Sequence, residues 1–592
     1  MALRITNLFK ELRRRRVFRM TALYVVASWV LIQVASEALP ALNLDERFIK
    51  YVWLAALGGF PIAVIFSWRY DVTSRGIKRT PAGIEAAPEA LRLGRADYLL
   101  LGALAVLAGI GVYGLSQKAA EEVALIEATP ETREIRQQSI AVLPLENLSP
   151  ESTEQYFVTG MYDSLISNLG KINALQVTSR TSASRVNTSQ GIPYVGRKLG
   201  VRYVIEGAVY REGNRIRISV KLIDTLSDQH VWSETYERPF DDVMAVQASV
   251  ARTVARIVQA KLTSQDEEQL ARIVKIRPET FESYLRAMYQ YQKETQEGYQ
   301  KGIEILEEAL ENDPTSALAY AALGQGYSEL VHSVLPVMEA MKRARAAVEK
   351  AVELDPTLAE AHLALAMKQL YGDFDFEASE QSLKKAIELN PSLADAWYHW
   401  AWWLEMQGFD EEAIEAGLKT VELSPLSSFY LSWLAEQYRD AGHYEKAIEL
   451  AESVLALSPT FPVAWYALGN AYLDQGRYEE AIAAHTEIAH LPFWAFALSQ
   501  SLAWAGQPEK ALEVAQIYGQ EPENAIPLTF IYAALGDIEK TVYWSGIARE
   551  QRLPWAIALF SWFTAPRSLH KDPRIQQEAS LYPTPLVPYP KE

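Results

Sequence analysis

Glu206, Asp224 and Glu234 lie in short stretches of alternating polarity, where two carboxylates brought together can share a proton and do acid–base work. Strand carboxylates more often end in solvent at edges and turns, so catalysis is set aside here. Asp373 and Asp375 begin like a calcium loop, but no glycine or distal glutamate follows in register. Ser179-Arg-Thr-Ser-Ala-Ser-Arg185 offers two guanidinium groups and several hydroxyls to an anion, and a plain solvated loop is the simpler reading. With no Cys, thiolate zinc sites, disulfides and cysteine nucleophiles are excluded. The eight His form no H-E-x-x-H pair, and no phosphate-binding or nucleophile-elbow motif occurs. The expectation is a non-enzyme with no catalytic, cofactor or metal residues. Its chemistry is recognition: between residues 395 and 473 aromatic side chains stand beside acids, which suits a peptide with apolar anchors and some basic charge.

The 592 residues that position these groups are too many for one compact core and fit several domains or a repeat array. At 49% hydrophobic and 22% charged the chain folds, and its net charge of −17 argues against nucleic acid as a partner.

Charge is unevenly distributed. Residues 1–19 hold seven Lys and Arg and one acid, and charge-free apolar runs follow at 20–36, 51–68 and 98–116, of 17, 18 and 19 residues. A membrane span needs roughly 17–25 residues, so 20–116 is expected to form a three-span anchor. The segment 37–50 carries two basic groups and 69–97 carries six, which places residues 1–19 and 69–97 in the cytoplasm. Three spans then put 117–592 on the periplasmic side of a bacterial inner membrane, with lipid as one partner. Residues 117–137, rich in Glu and Ala, read as a linker.

From 138 to 263 the pattern is that of a small α/β domain. Ser139–Pro144 and 174–178 read as strands, Glu154–Leu169 as a helix and Val195–Gly200 as a short helix stopped by glycine. Strands at 201–211, 215–224 and 230–236, joined by tight turns, form an antiparallel meander, and Asp242–Leu262 is a closing helix. Ser139-Ile-Ala-Val-Leu-Pro-Leu-Glu-Asn-Leu-Ser149, Tyr156-Phe157 with Gly160, Leu199-Gly-Val-Arg-Tyr-Val-Ile-Glu-Gly207 and Trp232-Ser-Glu-Thr-Tyr236 resemble the amino-terminal domain of the TolB family, in the form fused to tetratricopeptide arrays. That resemblance implies an envelope interaction or assembly module.

Pro314, Pro356, Pro391, Pro425 and Pro459 recur at steps of 42, 35, 34 and 34 residues, each after an acidic or polar residue. With Tyr320, Leu323, Gly324 and Tyr327, the small residues Ala413, Ala447 and Ala481, and the turn glycines Gly408, Gly442 and Gly476, residues 278–550 resemble a tetratricopeptide array of about eight units. The 42-residue step implies an insertion near 331–336. In that resemblance the groove residues come from the first helix of each unit: Asp395, Tyr398, Trp402 and Glu405, then Phe429, Ser432, Glu436 and Arg439, then Val463, Tyr466, Asn470 and Leu473. Trp397 and Trp400 read as packing, whereas Trp402 stands where a small or polar residue is usual and reads as a ligand contact. Residues 551–592 form a capping segment and a Pro-rich tail.

The fold expected is multidomain: three transmembrane helices, a small α/β domain and an all-α tetratricopeptide superhelix. The function expected is a membrane-anchored scaffold whose groove captures a protein or peptide for envelope assembly. The alternative is a receptor or signalling component passing partner binding to a separate nucleotidyl cyclase or transcription regulator. Self-association through the tail or through 138–263 stays open.

Overall fold

The computed structural model describes residues 70–73, 76–79, 135–149, 155–330 and 337–553, apart from a few single positions, and most of 567–584. The chain divides into two compact units, Met1–Thr129 and Pro130–Glu592. In the first, strands β1 (Tyr70–Thr73) and β2 (Gly76–Arg79) form an antiparallel pair, with Tyr70 opposite Arg79.

The three expected spans fall outside the described residues, apart from Gly59. Among the described residues no helix is long and apolar enough to cross a membrane. The fold class is corrected accordingly, to an all-α repeat superhelix with a small sheet domain, and the expected membrane anchor and periplasmic placement lose their basis. The physical weakness lies in the runs themselves, whose 17 to 19 residues stand at the lower limit for a span.

The second unit opens with the sheet domain. Its strands are β3 (Arg136–Val142), β4 (Glu146–Asn147), β5 (Gln176–Val177), β6 (Val201–Glu212), β7 (Arg215–Asp224) and β8 (Gln229–Pro239). They run in the order β5-β3-β6-β7-β8, with β4 also on β6; β3 is parallel to both neighbours and β6-β7-β8 is an antiparallel meander. The strict alternation of β7 decides its faces: Ile216, Ile218, Val220 and Leu222 are buried, while Arg215, Arg217 and Lys221 are exposed. Helices α1 (Gln155–Gly170) and α4 (Val243–Ile257) cover the apolar face, contributing Phe157, Leu165, Val250 and Val254 to the core. Between them α2 (Arg180–Arg185) and α3 (Ile192–Leu199) follow in sequence, and α5 (Ser264–Ile273) comes after α4.

Eight helix pairs follow among the described residues: α6 (Pro278–Tyr291) with α7 (Gln296–Asn312), α8 (Ala317–Leu330) with α9 (Val337–Leu354), α10 (Ala359–Met367) with α11 (Phe376–Leu389), α12 (Ala394–Met406) with α13 (Asp410–Leu423), α14 (Ser428–Asp440) with α15 (Tyr444–Leu457), α16 (Pro462–Asp474) with α17 (Tyr478–Thr486), α18 (Ala495–Trp504) with α19 (Pro508–Ala515), and α20 (Ala525–Ala534) with α21 (Ile538–Glu550). The segment 331–336 lies outside the described residues. Ala413, Ala447 and Ala481 are at most 1% exposed, since any larger side chain would hold the paired helices apart. Gly408, Gly442 and Gly476 turn the chain between paired helices at φ 80°, 82° and 72°, where a Cβ would be strained. Two of the recurrent prolines sit in turns that a Trp of the next helix reads: Trp397 Nε1 donates to the Pro391 carbonyl at 2.9 Å, and Trp465 Nε1 to that of Pro459 at 2.8 Å.

One unit departs from the rule. Past α10 the helix widens into a π-turn over Lys368–Asp373 and ends at Phe374 with φ 59°. Both carboxylates of the calcium-like stretch are engaged there, since Lys368 Nζ lies 2.6 Å from Asp373 and Asp375 caps α11 by accepting from the Ala378 amide. Phe374 packs against the carboxy-terminal cluster, and Arg552 Nη1, just past α21, donates to the Gly372 carbonyl at 3.1 Å. The third pair thus touches the end of the eighth. Helices α22 (Arg567–His570) and α23 (Pro573–Ala579) continue that cluster, and the Tyr582 hydroxyl donates to the Ser545 carbonyl at 2.7 Å.

Candidate functional site

The first helices of successive pairs share one face, and the groove residues expected from the sequence gather on it. Tyr398 meets Phe429 edge-on at 5.1 Å between ring centroids and lies 6.2 Å from Trp402; Trp402 stands perpendicular to Trp433 at 5.6 Å. The Tyr430 hydroxyl donates to Asp395. Only part of this set reaches solvent. Asp395 and Phe429 are exposed and Tyr466 is half-buried, whereas Tyr398, Trp402, Glu405, Glu436, Arg439 and Asn470 are buried. Trp402, at 1% exposure, is closed off by Trp433 and by Tyr371, whose ring centroid is 5.9 Å away.

Behind the aromatics lies a charged network centred on Arg439. Its guanidinium is 3.0 Å from Glu436, 2.9 Å from Asp440 and 3.3 Å from Asp474, and Asn470 Nδ2 donates to Glu436 at 3.1 Å. One cation cannot balance three carboxylates whose side chains are at most 10% exposed, with Glu405 beside them. Burial drives the Glu405 and Glu436 carboxyls above their ordinary range, with Asp440 adding to both, and it pushes Asp474 up to about 7 against the pull of Arg439. Conversely Arg439 is held more firmly protonated, because its acidic neighbours outweigh the cost of its own burial.

Sequence reasoning did not foresee that the sheet domain docks on this same array. Arg211, stacked on Phe157 and Phe240 at 4.9 and 4.4 Å, reaches Glu282 of α6 at 3.2 Å, and the Tyr156 hydroxyl donates to the same carboxylate at 2.7 Å. Although burial pushes the Glu282 carboxyl up, these donors outweigh it and hold it below its usual range. Gly160 is required here, since a Cβ on it would come within 2.5 Å of Leu285. Three successive inter-repeat turns then receive the domain. Arg272 Nη1 donates to Asp355 at 3.2 Å. The Val177 amide donates to the Ser392 hydroxyl at 3.0 Å, which in turn donates to the Leu175 carbonyl at 3.2 Å. Ser179 and Ser424 share a hydrogen bond of 2.6 Å, and the Leu426 amide donates to Ser182 at 2.8 Å. The stretch 179–185, read as a solvated loop, is therefore a docking helix capped by Ser179.

Two family models match parts of the chain. Residues 438–489 match a tetratricopeptide repeat, and residues 136–253 match the second domain of HilA/YgeH-like transcriptional regulators. Putative adenylate cyclase 3 of Rhizobium meliloti (strain 1021) is 36% identical over 205 residues, which is 34% of this chain and 35% of that protein. The chain thus spans about a third of the length of that curated relative. Among solved structures, Pseudomonas aeruginosa pilF (19% identity, 40% of this chain and 92% of that chain, TM-score 0.26) and the tetratricopeptide protein YrrB (18% identity, 36% and 97%, TM-score 0.25) are similar, at scores too low to add an argument.

These matches correct the sequence reading of 138–263. The model that fits is that of a transcriptional regulator's second domain, and nothing supports a TolB domain. The Tyr156-Phe157 and Gly160 motif instead serves the contact with α6. With neither anchor nor TolB domain supported, the envelope-assembly scaffold and the periplasmic placement fall as well. The fold resembles that of non-catalytic tetratricopeptide scaffolds; among the described residues no group of three or more His, Cys, Asp or Glu is placed to hold a metal ion. Such an array supports the binding of a protein or peptide partner in general.

Proposed function

We propose that the chain is a signalling component: its array captures a protein or peptide, and the docked sheet domain passes that event to a nucleotidyl cyclase or a transcription regulator. The observation that carries this reading is the docking itself. A domain that fits a transcriptional regulator's second domain hydrogen-bonds to two successive inter-repeat turns, and Arg272, just beyond it in the chain, bonds to the turn before them, so a change in repeat packing reaches it directly. The likeness to a putative adenylate cyclase points to the class of output. Asp395, Phe429 and Tyr466 are the residues we assign to first contact with the partner, with Tyr398, Trp402, Glu405, Glu436, Arg439 and Asn470 fixing their positions from behind. The net charge of −17 favours a partner with basic character over nucleic acid.

Deletion of the chain is expected to change cyclic-nucleotide levels or the transcript profile of the cell. Phe429→Ala with Tyr466→Ala should reproduce the change at normal protein abundance. Unaltered nucleotides and transcripts in the deletion strain would refute the signalling reading.

A further inference from the structure

Where the sheet domain meets the first four helix pairs the surfaces do not close. A half-open cleft of about 610 Å³ remains, a volume suited to a small organic ligand. One wall is α1 and the start of α2; the other is formed by α6, α8, α10 and α12, with Tyr430 of α14 at the end.

The polar groups of this cleft favour one sign of charge. Asp163 and Arg180 balance each other at 2.9 Å. Glu360 accepts from the Ser167 hydroxyl at 2.8 Å through one oxygen, while its second oxygen, Oε2, is buried with no donor among the described residues. Asp395 receives only the Tyr430 hydroxyl among the hydrogen bonds described. Two carboxylates therefore line the space with neutral hydroxyl donors, and among the described ion pairs neither has a cation. Burial brings His399 down to about 4, so its ring is neutral near pH 7 and adds no positive charge. The rings of Tyr284, Tyr299 and His399, together with Leu363 and Met367, complete the lining. Aromatic faces beside carboxylates attract a cation that carries an apolar stem.

We propose that this cleft binds an ammonium or guanidinium group on a short aliphatic stem, paired by Glu360 and Asp395. A free amine and a basic side chain of a peptide both present that chemistry. Because both domains wall the cleft, the occupant would bear on their docking; Asp395 is shared with the face assigned to the partner, so Glu360, which is not, is the residue that separates this inference from that reading.

The test is calorimetric titration of the full chain with n-butylammonium and, separately, with a short lysine-containing peptide, using n-butanol and butyrate as neutral and anionic controls. Saturable binding of both cations would support the proposal with a free amine as a sufficient ligand. Binding of the peptide alone would support it with a side chain as the source. In either case Glu360→Gln, which keeps an acceptor for Ser167, should weaken binding at least about tenfold, as the loss of a charge-assisted hydrogen bond does. Asp395→Asn should act in the same direction, and Ala364→Trp should block the cleft. Circular dichroism and melting temperature identify any variant that fails to fold. Absence of cation binding at about 10 mM, equal binding of n-butanol, or unchanged affinity in folded Glu360→Gln would overturn it.

Discussion

Replacing Asp474 with Asn should make the array more stable at pH 8 and flatten its dependence on pH. Asp474 lies 3.3 Å from Arg439, in a network where Glu436 and Asp440 already occupy that guanidinium at 3.0 and 2.9 Å. Burial is the largest influence on it, and its carboxyl rises from 3.8 to about 7. A carboxyl with a raised folded-state pKa binds its proton more tightly folded than unfolded. Its contribution to stability is therefore complete below about pH 4 and is lost as pH rises through 7. Three units at ~1.4 kcal/mol each set an upper limit of about 4 kcal/mol, and coupling to Glu436 and Asp440 brings the expected figure to roughly 2 kcal/mol. Against a typical ~5–15 kcal/mol of total stability that is measurable. Thermal and urea denaturation of both proteins between about pH 4 and pH 8.5 would report it. Asn retains an acceptor for Arg439, so the two stability curves should meet near pH 4, diverge as pH rises to 7 and stay apart above it, with the variant higher. Parallel curves, or a variant less stable at pH 8, would refute the reasoning.

Further outcomes follow from the packing. Trp402→Ala removes a side chain only 1% exposed and should cost about 3–5 kcal/mol in urea denaturation. Ala447→Leu, at a fully buried contact between paired helices, should cost about 1–3 kcal/mol by the same assay. Gly442→Ala, at φ 82°, should cost on the order of 1 kcal/mol, whereas exposed Phe429→Ala should leave stability within about 0.5 kcal/mol. Arg211→Met removes the bridge to Glu282 and should lower the temperature at which the sheet domain separates from the array, read by hydrogen exchange in α1 and α6.

The parts of the fold that rest on local pattern were legible in the sequence. The alternation of Arg215–Asp224 located β7 and its buried face, and the glycine and proline spacing located helix pairs through α17 to within a few residues. Contacts between residues far apart in the chain were not legible. Nothing in Ser179–Arg185 announces that its hydroxyls meet Ser424 and Leu426, some 240 residues away. The tetratricopeptide resemblance put Trp402 on the groove face. Here the third pair reaches the end of the eighth through Phe374 and Arg552, and Tyr371 and Trp433 enclose its ring. The Tyr156-Phe157 and Gly160 motif was recognised as a signature, but its physical work, seating α6 against α1, needed coordinates. The expected spans rested on hydropathy alone, in residues outside those described.

The central claim is that partner capture reaches the output through the docked sheet domain. Ser182→Ala with Ser424→Ala removes the hydroxyls that join α2 to the fourth inter-repeat turn and leaves the groove residues untouched. The deciding measurement is the cyclic-nucleotide level and transcript profile of cells carrying this variant. The account predicts normal abundance and partner binding with the response of the deletion strain. A wild-type response from a variant whose domains are shown by hydrogen exchange to have separated would contradict it.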